Sequence, residues 1–104
     1  MDTSKEYIEM CRKATEIQEL WDLVESDKYS VFIDFVWCPR QDQLQDMVFD
    51  EDDNLRVWCY EIYKFCDSKL GQHYREYGTM EQLWLAFVMW EKYQKKWDGK
   101  EWVV

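Results

Sequence analysis

The chain has 104 residues, among them seven Trp, seven Tyr and five Phe, and a net charge of −9. This length suits one hydrophobic core, so we predict a single domain over residues 1–104. The acidic balance argues against direct binding to nucleic acid or to an anionic membrane, and no apolar run approaches the roughly 20 residues that span a bilayer.

The first predicted element is a helix over about residues 4–25. Its apolar residues recur at steps of three and four, which places them on one face: Tyr7, Cys11, Ala14, Ile17, Trp21 and Val24. At the start of this helix, Thr3 and Glu6 have the spacing of a capping box, in which both side chains satisfy backbone N–H groups.

Residues 29–37 follow a break at residues 26–28 and predict a β-strand. Apolar residues alternate along one face of this strand, namely Val31, Ile33, Phe35 and Trp37. Phe32 and Val36 interrupt the alternation, so a buried helical turn stays open as an alternative. A single strand requires a neighbour, which either residues 102–104 or a second copy of the chain would supply.

Three further helices are predicted, over about residues 39–49, 54–70 and 80–97. The last begins with a second capping box, Thr79 and Gln82, and we expect it to end at Gly99. It is apolar on more than one side, so we expect it to be the central helix, with Trp84 and Phe87 buried. These elements predict a mainly α fold of about four helices with one short strand, or a small α+β domain.

Side chains that carry catalysis or bind metals are sparse. His73 is the only histidine and has no partner at the spacing of a catalytic triad or a metal site. The four cysteines include no Cys-x-x-Cys pair, and the acidic run 50–53 lacks the glycine and ligand spacing of an EF-hand. We therefore expect a binding protein rather than an enzyme, with no catalytic residues, no cofactor and no metal site.

The N-terminus and the cysteines bear on the compartment. Residues 1–6 are polar and acidic, unlike a secretory signal. The cysteines show no close pairing in the sequence: Cys11, Cys38, Cys59 and Cys66. We therefore expect a cytoplasmic protein whose thiols are reduced and mostly buried.

The negative charge is concentrated in the middle of the chain. Residues 22–53 carry ten acids against two bases, a net charge of −8. Residues 40–43 are either a recognition loop or a capped helix start, held by Arg40 and a nearby acid. The candidate partner-binding residues come from this region and from the last helix: Trp37, Arg40, Gln41, Asp42, Asp46, Asp50, Glu51, Asp52, Asp53 and Trp90.

Two stretches of the sequence resemble a known group of proteins. Residues 37–47 are similar to a WLPRQDQLQEM motif, and residues 80–102 are similar to MEQLWLAFVMKEKY followed by KVWNGEEW. Both motifs resemble small uncharacterised proteins of phages and prophages of Gram-positive bacteria. The chain departs from the pattern at Cys38, where Leu is usual, and at Trp90, where Lys is usual. The resemblance implies a phage context and no particular activity.

The phage context and the acidic middle lead to one functional hypothesis. We expect an acidic binding protein that inhibits a nucleic-acid-binding defence or replication machine in the host cytoplasm, in the manner of an anti-CRISPR inhibitor. Its partner would be a host protein with a basic surface, and a homodimer is an open alternative. Two other interpretations stay open, namely a sponge that binds nucleotide phosphates through Arg40, Lys92 or Lys96, and a phage structural or assembly accessory protein.

Overall fold

A computed structural model describes residues 2–20, 30–48, 55–67 and 78–104 of the chain. The helices within these ranges are α1 (Lys5–Lys13), α2 (Thr15–Gln18), α3 (Gln41–Val48), α4 (Leu55–Asp67) and α5 (Met80–Tyr93). Two antiparallel hairpins accompany them, β1 (Val31–Ile33) with β2 (Val36–Cys38), and β3 (Lys96–Trp97) with β4 (Trp102–Val103). The described part is mainly helical, as predicted, but two small sheets replace the single expected strand.

Helix α5 is the centre of the core, which confirms the prediction from its apolar surface. Its continuous run from Trp84 to Met89 is buried, and both Trp84 and Phe87 are among these residues. The predicted cap is also present, because the Thr79 side chain accepts a hydrogen bond from the backbone N–H of Gln82. Helix α3 packs along α5, and from α4 the Phe65 ring meets the Phe87 ring edge-on, with centroids 5.4 Å apart.

The predicted end of α5 was too late by several residues. The helix stops at Tyr93, and Gln94 adopts the left-handed conformation that terminates it, with φ of 58°. Gly99, the expected end, instead has φ of 101° and lies in the loop between β3 and β4. An αL residue at the helix end is the usual stop signal, and here a glutamine provides it in place of glycine.

The predicted first helix is broken into two. Helix α1 ends at Lys13, and Ala14 has φ of −85° and ψ of 72°, outside the helical region. Gln18 of α2 explains how the break is tolerated, because its side-chain amide donates to the Cys11 carbonyl at 3.1 Å. The cap also differs from the predicted one: the Ser4 side chain accepts from the backbone N–H of Tyr7, and Thr3 is not the N-cap.

The predicted long strand is a tight hairpin. Asp34 and Phe35 form its turn with φ of 52° and 65°, and the backbone reverses between Ile33 and Val36. The two halves of the predicted strand therefore pair with each other. Pairing with residues 102–104 was a wrong expectation, because Trp102 and Val103 pair with β3 instead. Phe35, expected on the inward face with Trp37, is fully exposed.

The C-terminal hairpin packs against α1. The indole N–H of Trp102 donates to the Met10 carbonyl at 2.9 Å, and that of Trp97 donates to Glu6 at 3.1 Å. The two indole rings lie against each other, with centroids 5.1 Å apart. The last residues of the chain therefore fix the orientation of the first helix.

Candidate partner-binding surface

The start of α3 is held by side chains rather than by an open loop. The backbone N–H of Arg40 donates to the Gln43 side-chain oxygen at 2.9 Å, and the Gln43 amide donates to the Ser30 hydroxyl at 3.0 Å. The preceding Pro39 is buried, and its carbonyl accepts a hydrogen bond from the Tyr7 hydroxyl. This segment has a fixed conformation, of the kind expected for a capped helix start.

Arg40 and Asp42 form an ion pair on the surface. The Arg40 Nε and one terminal nitrogen donate to the two carboxylate oxygens of Asp42, at 3.0 and 3.1 Å. This two-point geometry is the strong form of the guanidinium–carboxylate contact. It matches the predicted capped start held by Arg40 and a nearby acid. The ion pair also occupies the guanidinium of Arg40, which is one of the three cations considered above for phosphate binding by a nucleotide sponge.

The outer face of α3 presents the acidic residues. Asp42 and Asp46 are exposed and one helical turn apart, so they lie about 6 Å from each other along the helix axis. Gln41 and Gln45 are half-buried between this face and the core, whereas Leu44 on the inner face is fully buried. Asp42 is paired with Arg40, whereas Asp46 forms no ion pair with any lysine or arginine whose side chain the structure describes.

The rest of the predicted acidic set cannot be placed. Asp50, Glu51, Asp52 and Asp53 lie outside the described residues. They follow α3 directly in the sequence, after residues 48 and 49. At the end of α3 the Lys92 ammonium approaches the Met47 carbonyl at 3.4 Å, a position where a cation is favoured by the helix dipole.

Neither predicted tryptophan belongs to an exposed surface. Trp37 has no exposed area and lies in the core, so its side chain is not available to a partner. Trp90 is half-buried and packs against the core. All three residues of β2 are buried, so the burial of Trp37 does not follow from one face of the strand.

The structure exposes aromatic residues that the sequence analysis did not select. Phe35 lies at the tip of the first hairpin, and Tyr60 and Tyr63 lie on α4. A cleft of about 420 Å³ adjoins Phe35, with the lining residues Arg12, Thr15, Gln18, Glu19, Phe35 and Val36. The interruption of the alternation by Phe32 and Val36 was the available signal, because these two residues flank the part of the chain that contains the turn.

A second cleft of about 450 Å³ lies between α1 and the C-terminal hairpin. The acids Glu6, Glu9 and Asp98 line it together with Lys13, whose ammonium spans it to the Lys100 carbonyl at 2.7 Å. Backbone N–H groups of Glu101 and Lys100 donate to the Asp98 carboxylate and lower its pKa. With Glu101 and Lys100 also in its lining, the cleft has four acids against two bases and is acidic overall.

The thiols fall into two environments. Cys11 and Cys38 are buried where α1 meets β2, and burial raises the pKa of the Cys11 thiol. Cys66 is half-buried with a raised pKa for the same reason, whereas Cys59 is exposed. The structure describes all four cysteines, and none is in a disulfide. The exposed Cys59 departs from the expectation of mostly buried thiols.

No protein-family model, curated protein or solved structure matches the chain. In the part of the chain that the structure describes, no helix is both long and apolar enough to cross a bilayer. Over the same residues, no three His, Cys, Asp or Glu side chains come together as ligands for a metal ion.

Proposed function

We propose that this chain is a phage-encoded protein that binds a basic surface of a host protein and inhibits a nucleic-acid-binding defence or replication machine. The observation that supports this most directly is that Asp46 is exposed on helix α3, immediately before the most acidic part of the sequence. The resemblance to phage proteins supplies the biological setting, and an anti-CRISPR-type inhibitor is the particular form that we favour.

The physical argument starts from the partner. A groove that binds nucleic acid is lined with Lys and Arg, which compensate phosphate charges and release counterions on binding. An acidic helix can compete for that groove when its carboxylates already have fixed positions. Little conformational entropy is then lost when the helix binds. Helix α3 meets this condition, since its start is capped by Gln43 and its inner face is anchored by Leu44.

The net charge of −8 over residues 22–53 determines how such a complex would form. Opposite charge across an interface accelerates encounter, and this acceleration weakens as salt screens it. We therefore expect a fast, salt-sensitive association rate. Free DNA or RNA should compete for the partner, because both ligands would occupy the same basic surface.

The experiment has two stages. A pull-down from lysate of the phage host, at low and at high salt, identifies the partner. Association rates are then measured for the wild type and for a variant with amides in place of six acids: Asp42, Asp46, Asp50, Glu51, Asp52 and Asp53. We expect the fold to survive, the association rate to fall and the salt dependence to flatten.

Glu101→Gln is the matched control, because it removes one exposed acid on the C-terminal hairpin and leaves α3 unchanged. Its binding should equal that of the wild type, whereas Asp46→Asn alone should already slow association. An unchanged rate and salt slope in the sixfold variant, or a complex that nucleic acid does not disrupt, would exclude the proposed mechanism.

A further inference from the structure

Two thiols lie next to each other in the core. Cys11 on α1 and Cys38 on β2 have no exposed area, and a hydrogen bond from the Cys11 thiol lowers the pKa of Cys38. The Cys38 thiol itself donates to the Val36 carbonyl at 3.7 Å, so its sulfur is the acceptor for Cys11. A disulfide forms only between cysteines whose side chains already meet, and this pair satisfies that condition.

Gln18 holds the two backbones together beside this pair. Its side-chain nitrogen donates to the Cys11 carbonyl at 3.1 Å and to the Trp37 carbonyl at 2.8 Å, so the two carbonyls share one donor. Trp37 immediately precedes Cys38, and its backbone N–H donates to the Gln18 side-chain oxygen at 2.9 Å. The chain at Cys11 is therefore fixed against the residue before Cys38.

Tyr7 joins the same two parts of the chain one helical turn earlier. Its hydroxyl donates to the carbonyl of Pro39, the residue after Cys38. Side chains four residues apart lie on one face of a helix, so Tyr7 and Cys11 both face the end of β2. The Cys11 thiol is thus held opposite Cys38, between contacts to the residues on either side of it.

The chemistry of the pair suits thiol–disulfide exchange. Burial raises the pKa of Cys11, whereas the hydrogen bond from Cys11 leaves the pKa of Cys38 below its usual value, so Cys38 is the first nucleophile. In exchange with oxidised glutathione, the Cys38 thiolate attacks one sulfur and releases one glutathione. Cys11 then attacks the mixed disulfide and releases the second glutathione. The protein loses two hydrogen atoms, and the two glutathione molecules gain them.

We propose that Cys11 and Cys38 form a disulfide when the chain meets an oxidising low-molecular-weight disulfide, and that this bond fastens α1 to the first hairpin. The structure describes the reduced state, in which both thiols are free. Because both are buried, exchange takes place when the core opens, and the bond is retained when the core closes around it. This inference does not rest on the function proposed above, because neither cysteine belongs to α3.

The test is an equilibrium measurement in glutathione buffers. The full chain is unfolded in denaturant and then either refolded or kept unfolded at the same ratios of reduced to oxidised glutathione, so burial does not limit exchange. Free thiols are alkylated, and peptide mass spectrometry locates the disulfide. We expect the equilibrium constant of the Cys11–Cys38 bond to be roughly 30- to 1,000-fold higher in the folded chain, the usual contribution of a native disulfide. The melting temperature of the oxidised protein should rise accordingly.

Two cysteine variants complete the experiment. Cys59→Ser, which removes the exposed thiol of α4, is the matched control and should retain the bond, whereas Cys38→Ser should abolish it. A folded product joined through Cys59 or Cys66 would overturn the proposal. Equal equilibrium constants in the folded and unfolded chains would do so too, because the fold would then not bring the two sulfurs together. A lower melting temperature after oxidation would show that the bond strains the core, contrary to the proposal.

Discussion

The side-chain amide of Gln18 pairs with the backbone of Trp37 through two hydrogen bonds. Its oxygen accepts from the Trp37 N–H at 2.9 Å, and its nitrogen donates to the Trp37 carbonyl at 2.8 Å. The side chain thus takes the place of a neighbouring strand beside β2. Its nitrogen also donates to the Cys11 carbonyl, which accepts from the Ala14 N–H as well, so one glutamine links α1, α2 and the first hairpin.

Removal of this link should destabilise the protein markedly. Gln18→Ala leaves the Trp37 N–H and carbonyl without these partners, and we expect a loss of about 2–4 kcal/mol in the free energy of unfolding. Chemical denaturation measures it. Gln45→Ala on α3 is the control and should change stability by less than about 0.5 kcal/mol. Equal effects of the two substitutions would contradict the bridging role of Gln18.

Asp2 should make stability depend on pH in the acidic range. Its buried carboxylate accepts from the Ser4 N–H, the Thr79 hydroxyl and the Gln82 amide, at 2.8, 2.6 and 2.9 Å. Burial alone raises the pKa of Asp2, but these hydrogen bonds together outweigh it and leave the pKa below its usual value. A carboxyl whose pKa is lowered by folding stabilises the protein above its unfolded pKa of about 3.9.

This contribution should be lost as the pH falls through the lower pKa of folded Asp2. Asp2→Asn should cost about 1.5–3 kcal/mol at neutral pH, because hydrogen bonds to a charged acceptor are replaced. Unfolding measured as a function of pH should show the wild type and the variant converging in acid. A constant difference between them down to low pH would refute the role of the charge.

Trp84 should be among the most sensitive core positions. It is buried on α5, and its ring meets that of Phe87 edge-on, with centroids 5.5 Å apart. Trp84→Ala should cost about 3–5 kcal/mol, much of the stability of a small domain. Thermal unfolding provides the measurement, with the exposed Tyr63→Ala as a nearly neutral comparison. A melting temperature that Trp84→Ala leaves unchanged would contradict the central position of α5.

The cysteines should react in a fixed order. Cys59 is exposed and should be alkylated first, whereas Cys66 is half-buried and its raised pKa reduces the reactive thiolate. Cys11 and Cys38 should react only on unfolding, because both are buried. Mass spectrometry of protein alkylated without reductant should find four free thiols after unfolding. Native labelling of Cys11 as fast as Cys59 would contradict the described core.

The elements that sequence predicted well are those whose signals are local. Helix α5 has a cap at Thr79 and many apolar residues. Both signals lie in one continuous stretch of the sequence. A helix was also predicted where α3 lies, and its start held by Arg40 and a nearby acid was one of the two alternatives left open there. Local spacing determines such features, so one sequence suffices to find them.

The features that were missed depend on residues distant in sequence. Gln18 lies 19 residues from Trp37 in the sequence. The spacing of apolar residues carries no information on a side chain that hydrogen-bonds the edge of a strand at that distance. The break at Ala14 is hidden because the apolar stripe continues through it in the sequence. The turn at Phe35 was missed because a phenylalanine stands where turn patterns expect glycine. On the surface, the charge distribution of the sequence correctly indicated that Asp42 and Asp46 are exposed. The presence of an aromatic residue did not by itself distinguish the buried Trp37 from the exposed Phe35.

The carboxylate of Asp2 also has a consequence for synthesis of the chain. Its partner Gln82 lies 80 residues further along, and the Trp102 bond to the Met10 carbonyl spans 92 residues. At a translation rate of about 5–20 residues per second, Asp2 waits roughly 4–16 s for Gln82. The first hairpin reaches α1 earlier, because the Tyr7 hydroxyl bonds the Pro39 carbonyl only 32 residues away. A ribosome stalled before residue 82 would therefore hold a chain in which α1 has met the first hairpin but lacks the buried run of α5 that completes the core.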